Sequence, residues 1–158
     1  MIRPIRSLTP AERAALSPGL LAALAAAGAF PRIRPMASWL ARIAALWRGS
    51  VPVLTLGDVI HWPRAPADAS VSPAAMALLQ HELQHVLEYA EGRLTWWGYG
   101  LDPRNWTYAL PPPERWDWRR LGAEQRATIA ERLWRAQRAG DQQTARCCAA
   151  VLPWAADP

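Results

Sequence analysis

Residues 78–92 read LLQHELQHVLEYAEG, with His81 and His85 four positions apart and Glu82 directly after the first. Four residues along a helix is just over one turn and about 6 Å of axis, so both imidazoles project from one face and can reach one ion. Hydrolytic zinc sites take three protein ligands and keep one position open. The residue after the first histidine is turned to the side of such an ion. There a glutamate can accept a proton from water and later deliver it to a leaving group. HELQH is therefore a candidate HExxH motif, with His81 and His85 as Zn²⁺ ligands and Glu82 as general base. The plain alternative is an ordinary buried helix, but that would place two histidines and a glutamate in an apolar stretch without partners, which is costly.

The third ligand must come from elsewhere. The extended pattern HExxHxxGxxH fails here, because Glu88 stands at the glycine position and Glu91 at the third ligand position. Without that glycine the helix continues, and at 100° per residue Glu91 points away from His85. Glu88 shares the histidine face one turn on and suits a supporting hydrogen bond or a substrate contact, with exposed helix polarity as the bland reading. Glu124 in GAEQRATIAERL opens a later helix 39 residues beyond His85 and is the preferred candidate. Glu131 reads as a surface residue pairing with Arg135 at i,i+4. Asp102 and His61 stay open as further candidates, although a capped or solvated histidine is the simpler reading of His61.

The elements that must hold these residues are marked by caps and breaks in period. Thr9-Pro10 opens a short helix over 8–16, and a second helix over about 18–28 ends near Gly28. PRIRPM (31–36) has proline at both flanks and is extended at most, as an edge strand. A helix over 38–47 follows Ser38 and stops at Gly49. VPVLTLGDVIHW (51–62) is rich in β-branched residues around Gly57-Asp58, a hairpin signal. After a loop over 63–73, Ser72-Pro73 starts the best-defined helix, about 73–91, with Gly92 at its end. Residues 93–120 form a long Trp-, Pro- and Arg-rich connection with little periodicity, whose tryptophans argue for packing. A last helix spans about 122–139 and stops at Gly140; the tail from 140 to 158 has no clear reading.

With 158 residues, 51% hydrophobic and 20% charged, the chain suits a single domain with a sizeable core. Its net charge is +5, carried by 18 arginines and no lysine. They are scattered and interleaved with acids such as Asp117, Glu124 and Glu131, which fits a solvated helix face better than a nucleic-acid patch. Cys147 and Cys148 are adjacent and cannot form a disulfide framework, so a reducing compartment is the default. PGLLAALAAAGAF (18–30) is apolar, but it begins late and follows Glu12 and two prolines; a helix is a better reading than a signal peptide. No run reaches the ~20 apolar residues of a membrane span. The expectation is a cytoplasmic protein without a membrane partner, with export by another route left open.

Together QHELQHVLEYAEG, WTYAL and LGAEQRATI resemble small bacterial zincin-like proteins of the Vgr-related type. These are similar to HExxH domains found with polymorphic toxins and extracellular contractile injection systems. LTPAE and PRIRP fit as well, so the resemblance covers residues 8–139. It implies an α+β, mostly helical zincin-like domain, with a small antiparallel sheet packed on the HExxH helix. It supports Glu124 as third ligand, in a gluzincin-like HExxH…E arrangement, and places Tyr108 near the cleft, where a phenol can stabilise an oxyanion or simply pack. Gln84, Leu87 and the Arg of EQRA depart from the pattern, which bears on substrate rather than on metal.

The leading expectation is a zinc metallopeptidase acting on a peptide or protein substrate, with Trp96, Trp97 and Trp106 forming one wall of its cleft. The alternative is a non-catalytic zinc-containing accessory protein of a phage-like, secretion or toxin apparatus. A DNA-associated SprT-like protease is a third reading, weakened by the missing cysteine ribbon and the scattered arginines.

Overall fold

Several helices begin where the sequence supplies a capping hydroxyl. In the computed structural model, which describes residues 4–49 and 51–155, α1 (Pro10–Ala15) follows Thr9, whose hydroxyl accepts the Glu12 N–H. After α2 (Pro18–Ala26), the Ser38 hydroxyl accepts the Ala41 N–H at the start of α3 (Trp39–Arg48). Ser72 caps α4 (Pro73–Ala90) in the same way, through Ala75. Four strands, β1 (Arg6–Ser7), β2 (Arg32–Arg34), β3 (Leu54–Leu56) and β4 (Val59–His61), form one sheet in the order β1-β2-β4-β3. The fold is α+β, as the resemblance implies.

Two expectations about the sheet need correction. It is mixed rather than antiparallel, because β2 pairs parallel with β4 while both outer pairs are antiparallel. The chain reaches β4 from β2 through α3 and β3, a crossover that allows parallel pairing. Residues 32–34 are also interior, not an edge: Pro31 and Pro35 lie just outside the strand, so the missing proline N–H groups cost no ladder bond. The expected hairpin is present, with Gly57 at φ +62° in its two-residue turn.

α4 is the central element. From Met76 to Glu88 all but Leu78 are buried, as expected of a helix covered on several sides. Leu79, Leu83 and Val86 pack with Ile33 and Ile60 of the sheet and with Leu20 and Leu24 of α2. Each such fully buried side chain is worth about 1.5–3 kcal/mol. On its other side lies α6 (Ala123–Ala139). The segment after Gly140 forms α7 (Gln142–Ala149), and Cys148 and Leu152 bury against Ile129 and Leu133 of α6. The long connection is also less irregular than its sequence suggests: it contains α5 (Trp96–Leu101), capped by Thr95 through Gly98.

A buried ion pair ties the N-terminal strand to this core. Glu12 has no exposed surface and accepts two bonds from Arg6, at 2.7 and 2.8 Å, and one each from the Thr9 and Ala69 N–H groups. Burial pushes its carboxyl upward, and these donors outweigh that, leaving it below the ordinary carboxylate range. A depressed carboxylate stabilises the fold above its unfolded pKa and loses that contribution as pH falls through the folded one. Glu12→Ala is expected to cost about 3 kcal/mol at neutral pH. In urea denaturation, the gap between variant and wild type should narrow as the pH drops below about 4.

Candidate metal centre

Two helices bring the site together. α4 supplies His81 and His85, whose rings meet edge to face at 5.1 Å between centroids. α6 supplies Glu124, the second residue of its first turn, where the helix dipole favours a carboxylate. Oε2 of Glu124 lies 3.0 Å from Nε2 of His81 and 3.5 Å from Nε2 of His85. The three donor atoms all lie within 4.8 Å of one another, and all three residues are buried. His81, His85 and Glu124 thus form a group that could hold a metal ion.

The start of α6 is pinned in place. A Cβ on Gly122 would collide with the Arg104 carbonyl, so the helix enters at a point only glycine permits without a shift. Asn105 accepts the Ala123 N–H at 2.8 Å, and Gln125 accepts the Gly122 N–H while donating to the Ala109 carbonyl. Two residues after Glu124, Arg126 clamps α6 to α4. Its guanidinium donates to both oxygens of Glu88, at 2.9 and 2.6 Å, in a pair with Glu88 fully buried. Such forked pairing fixes orientation as well as distance. Glu88 therefore serves neither substrate nor solvent: it also accepts from Gln84, whose own oxygen takes the Trp154 indole N–H.

Two further side chains orient the triad, and a third holds Glu82 beside it. The Tyr99 hydroxyl donates to Oε1 of Glu124 at 2.6 Å, leaving Oε2 toward the histidines. Glu131 Oε2 faces Nδ1 of His81 at 3.5 Å while its other oxygen takes Arg135. It pairs with Arg135 as expected, but it is more than a surface residue. Thr55 of β3 donates to Oε2 of Glu82 at 2.7 Å and so holds the candidate base beside the triad. Tyr108 stacks on His81, 6.1 Å between centroids and 24° between planes, at the rim of the same cleft.

Charges within this group are strongly coupled. Burial disfavours the His81 imidazolium, yet hydrogen bonds to Glu124 and Glu131 and the nearby Glu82 charge raise its pKa to about 10. Glu124 is displaced the other way: burial pushes it up, and the His81, His85 and Tyr99 contacts hold it far below the usual carboxylate range. Nδ1 of His85 is buried without a partner among the described residues. Two imidazoles and a carboxylate, carrying a proton between them, are a donor set that a divalent cation fits, since it can take that proton's place. A carboxylate behind a ligating imidazole typically strengthens metal affinity by about 10–100-fold. Glu131→Gln is accordingly expected to weaken metal binding by about that factor, as measured by competition with a chelating dye.

The other candidates lie elsewhere. Glu91 closes α4 and pairs with Arg93 in an exposed position. Asp102 is bonded to Arg104. His61 is buried in β4 rather than solvated, outside the triad, and burial with the Arg34 charge lowers its pKa.

The triad opens on a cleft of about 590 Å³, whose walls include Glu82, His85 and Glu124 together with Trp96 and Trp97. Trp106 lines an adjoining hollow instead, so two of the three tryptophans expected on the wall stand in this cleft. Tyr99, Thr55 and the inward face of Glu131 are absent from the sequence reading. Glu131 carried a usable signal: seven residues after Glu124, it falls on the same face of α6. Compared with protein-family models, curated proteins and solved structures, the chain matches none.

Proposed function

We propose that this protein is a zinc-dependent peptidase, hydrolysing a peptide bond with water and with Glu82 as general base. The meeting of His81, His85 and Glu124 at one point, with Glu82 held beside them on a cleft wall, carries this reading. Three protein ligands, two of them imidazoles, suit a hydrolytic zinc site, and a purely structural site has no use for Glu82. When bound, zinc supplies Lewis acidity at a carbonyl oxygen, worth several kcal/mol.

The chain itself contributes position and proton transfer. Thr55 occupies one oxygen of Glu82, which leaves the other to take a proton from water in the cleft. The water oxygen bonds to the carbonyl carbon, the C–N bond breaks, and the proton held by Glu82 passes to the departing amine. Tyr99 keeps Glu124 turned toward the histidines throughout. A peptide is favoured as substrate by β3, the end strand of the sheet. Residues 53–56, four in succession, all line the cleft. Alternate strand residues face opposite sides, so a run of four along the cleft brings the strand's backbone edge to it as well as side chains, and an extended chain can pair there.

Elemental analysis of tag-free protein tests the metal, and peptide cleavage tests the activity. Stoichiometric zinc in wild type, lost in His81→Ala, with chelator-sensitive cleavage, is the expected result. A well-folded protein that takes up no zinc after supplementation ends the proposal. The non-catalytic reading, an accessory protein of a phage-like, secretion or toxin apparatus, draws on the exposed Trp96, Trp97 and Trp106. It leads if zinc binds and no peptide is cut.

A further inference from the structure

The chain carries eighteen basic side chains, yet among the described residues none lines the cleft beside the triad. Its charged or titratable walls are Glu82, His85 and Glu124, with the tyrosine phenols; nearly everything else is apolar. Leu40 of α3, Leu54 and Leu56 of β3, Leu94, Trp97 and Leu101 converge on it from three directions. A neighbouring hollow of about 490 Å³ shares Leu40, Leu56, Leu94, Trp96 and Trp97 and continues the same surface toward Trp39. Trp39 is 65% exposed, Trp97 56% and Leu101 80%, a concentration of large apolar surface that a solvated face does not need.

We propose that the site selects its substrate by a bulky, uncharged side chain beside the scissile bond, aromatic or large aliphatic, which this cleft takes up. The inference rests on the peptidase reading and adds the substrate class to it. About 590 Å³ is within the ~300–1,000 Å³ of pockets that enclose a small ligand, so it exceeds what a single small residue fills. An apolar wall rewards each added methylene with up to about 10–200-fold in rate. It penalises a charged side chain far more where the walls away from the triad are leucine and tryptophan, which offer a charge no partner. The carboxylate of Glu82 further disfavours acidic substrates. The basic surface of the protein therefore says nothing about the substrate of this site.

The test is cleavage of a mixed peptide library by zinc-loaded protein, with sites read by mass spectrometry. Cleavage beside Phe, Leu, Trp or Met is expected, favoured over Asp or Lys by on the order of 100-fold. Leu101→Arg, at an exposed position that leaves the core untouched, should raise cleavage beside Asp and Glu relative to Leu. Leu56→Arg should do the same from the opposite wall. Cleavage with no apolar preference, or with a charged one, overturns the inference and leaves the peptidase standing. If zinc is bound and nothing is cut, the peptidase reading fails, and binding decides the cleft on its own. Calorimetry with matched leucyl and aspartyl hydroxamates should then show the leucyl compound bound on the order of 100-fold tighter. Equal affinity, or no binding of either, overturns the inference.

Discussion

Glu82→Gln is expected to retain zinc at wild-type stoichiometry and to lower peptide hydrolysis by about 10²–10⁴-fold, the usual contribution of a positioned general base. That range corresponds to about 3–5 kcal/mol of barrier. The substitution is close to isosteric, and Thr55 can still donate to the amide oxygen, so the side chain stays on the cleft wall. What it removes is the ability to hold a proton between water and the leaving amine. The cost should therefore fall on kcat more than on KM, because substrate binding uses the cleft walls instead. Loss of zinc in this variant would make Glu82 a ligand and undo the assignment of roles. Unchanged hydrolysis would place the base elsewhere, although no other carboxylate among the described cleft residues is outside the triad.

The second large effect is on the metal itself. Glu124→Ala removes one of three ligands, and with about 10–16 kcal/mol typical of a four-ligand zinc site, each contributes roughly 2.5–4 kcal/mol. Metal affinity should fall by roughly 10²–10³-fold, read by dialysis against a competing chelator. The loss also leaves the Tyr99 hydroxyl and Nε2 of His81 without the carboxylate they share. Glu91 and Asp102 cannot compensate, since both are engaged by arginines at the surface. Wild-type affinity in the variant would exclude Glu124 as a ligand. Full loss in Glu124→Ala with only partial loss in Glu131→Gln would separate the ligand from the residue behind it.

These two variants probe different levels of the molecule. Glu82 depends on one helix and one strand; Glu124 depends on how α6 is seated against α4. That seating rests on Gly122 against the Arg104 backbone, remote in sequence from the histidines, and on the buried pair that Arg126 of α6 makes with Glu88, one turn beyond His85. Removal of either would move Glu124 without touching a donor atom.

What the sequence determined by itself was the local part of the site. The spacing of His81, Glu82 and His85 suffices because helical geometry repeats every 3.6 residues, and Ser72-Pro73 marks the helix plainly. The hairpin was equally local, set by a two-residue turn. Glu124 was named through resemblance and through the room the chain has to return, not through any local rule. Only the tertiary structure decided that its Oε2 meets both histidines, that Glu131 backs His81, and that Tyr99 and Thr55 complete the arrangement. It also decided that β2 lies inside a mixed sheet and that the tryptophan-rich connection folds into a short helix over the cleft. Contacts of this kind join residues tens of positions apart, and their geometry follows from how α6 and the sheet pack on α4. Periodicity reports which face of an element is apolar; it carries no information about which other element that face meets.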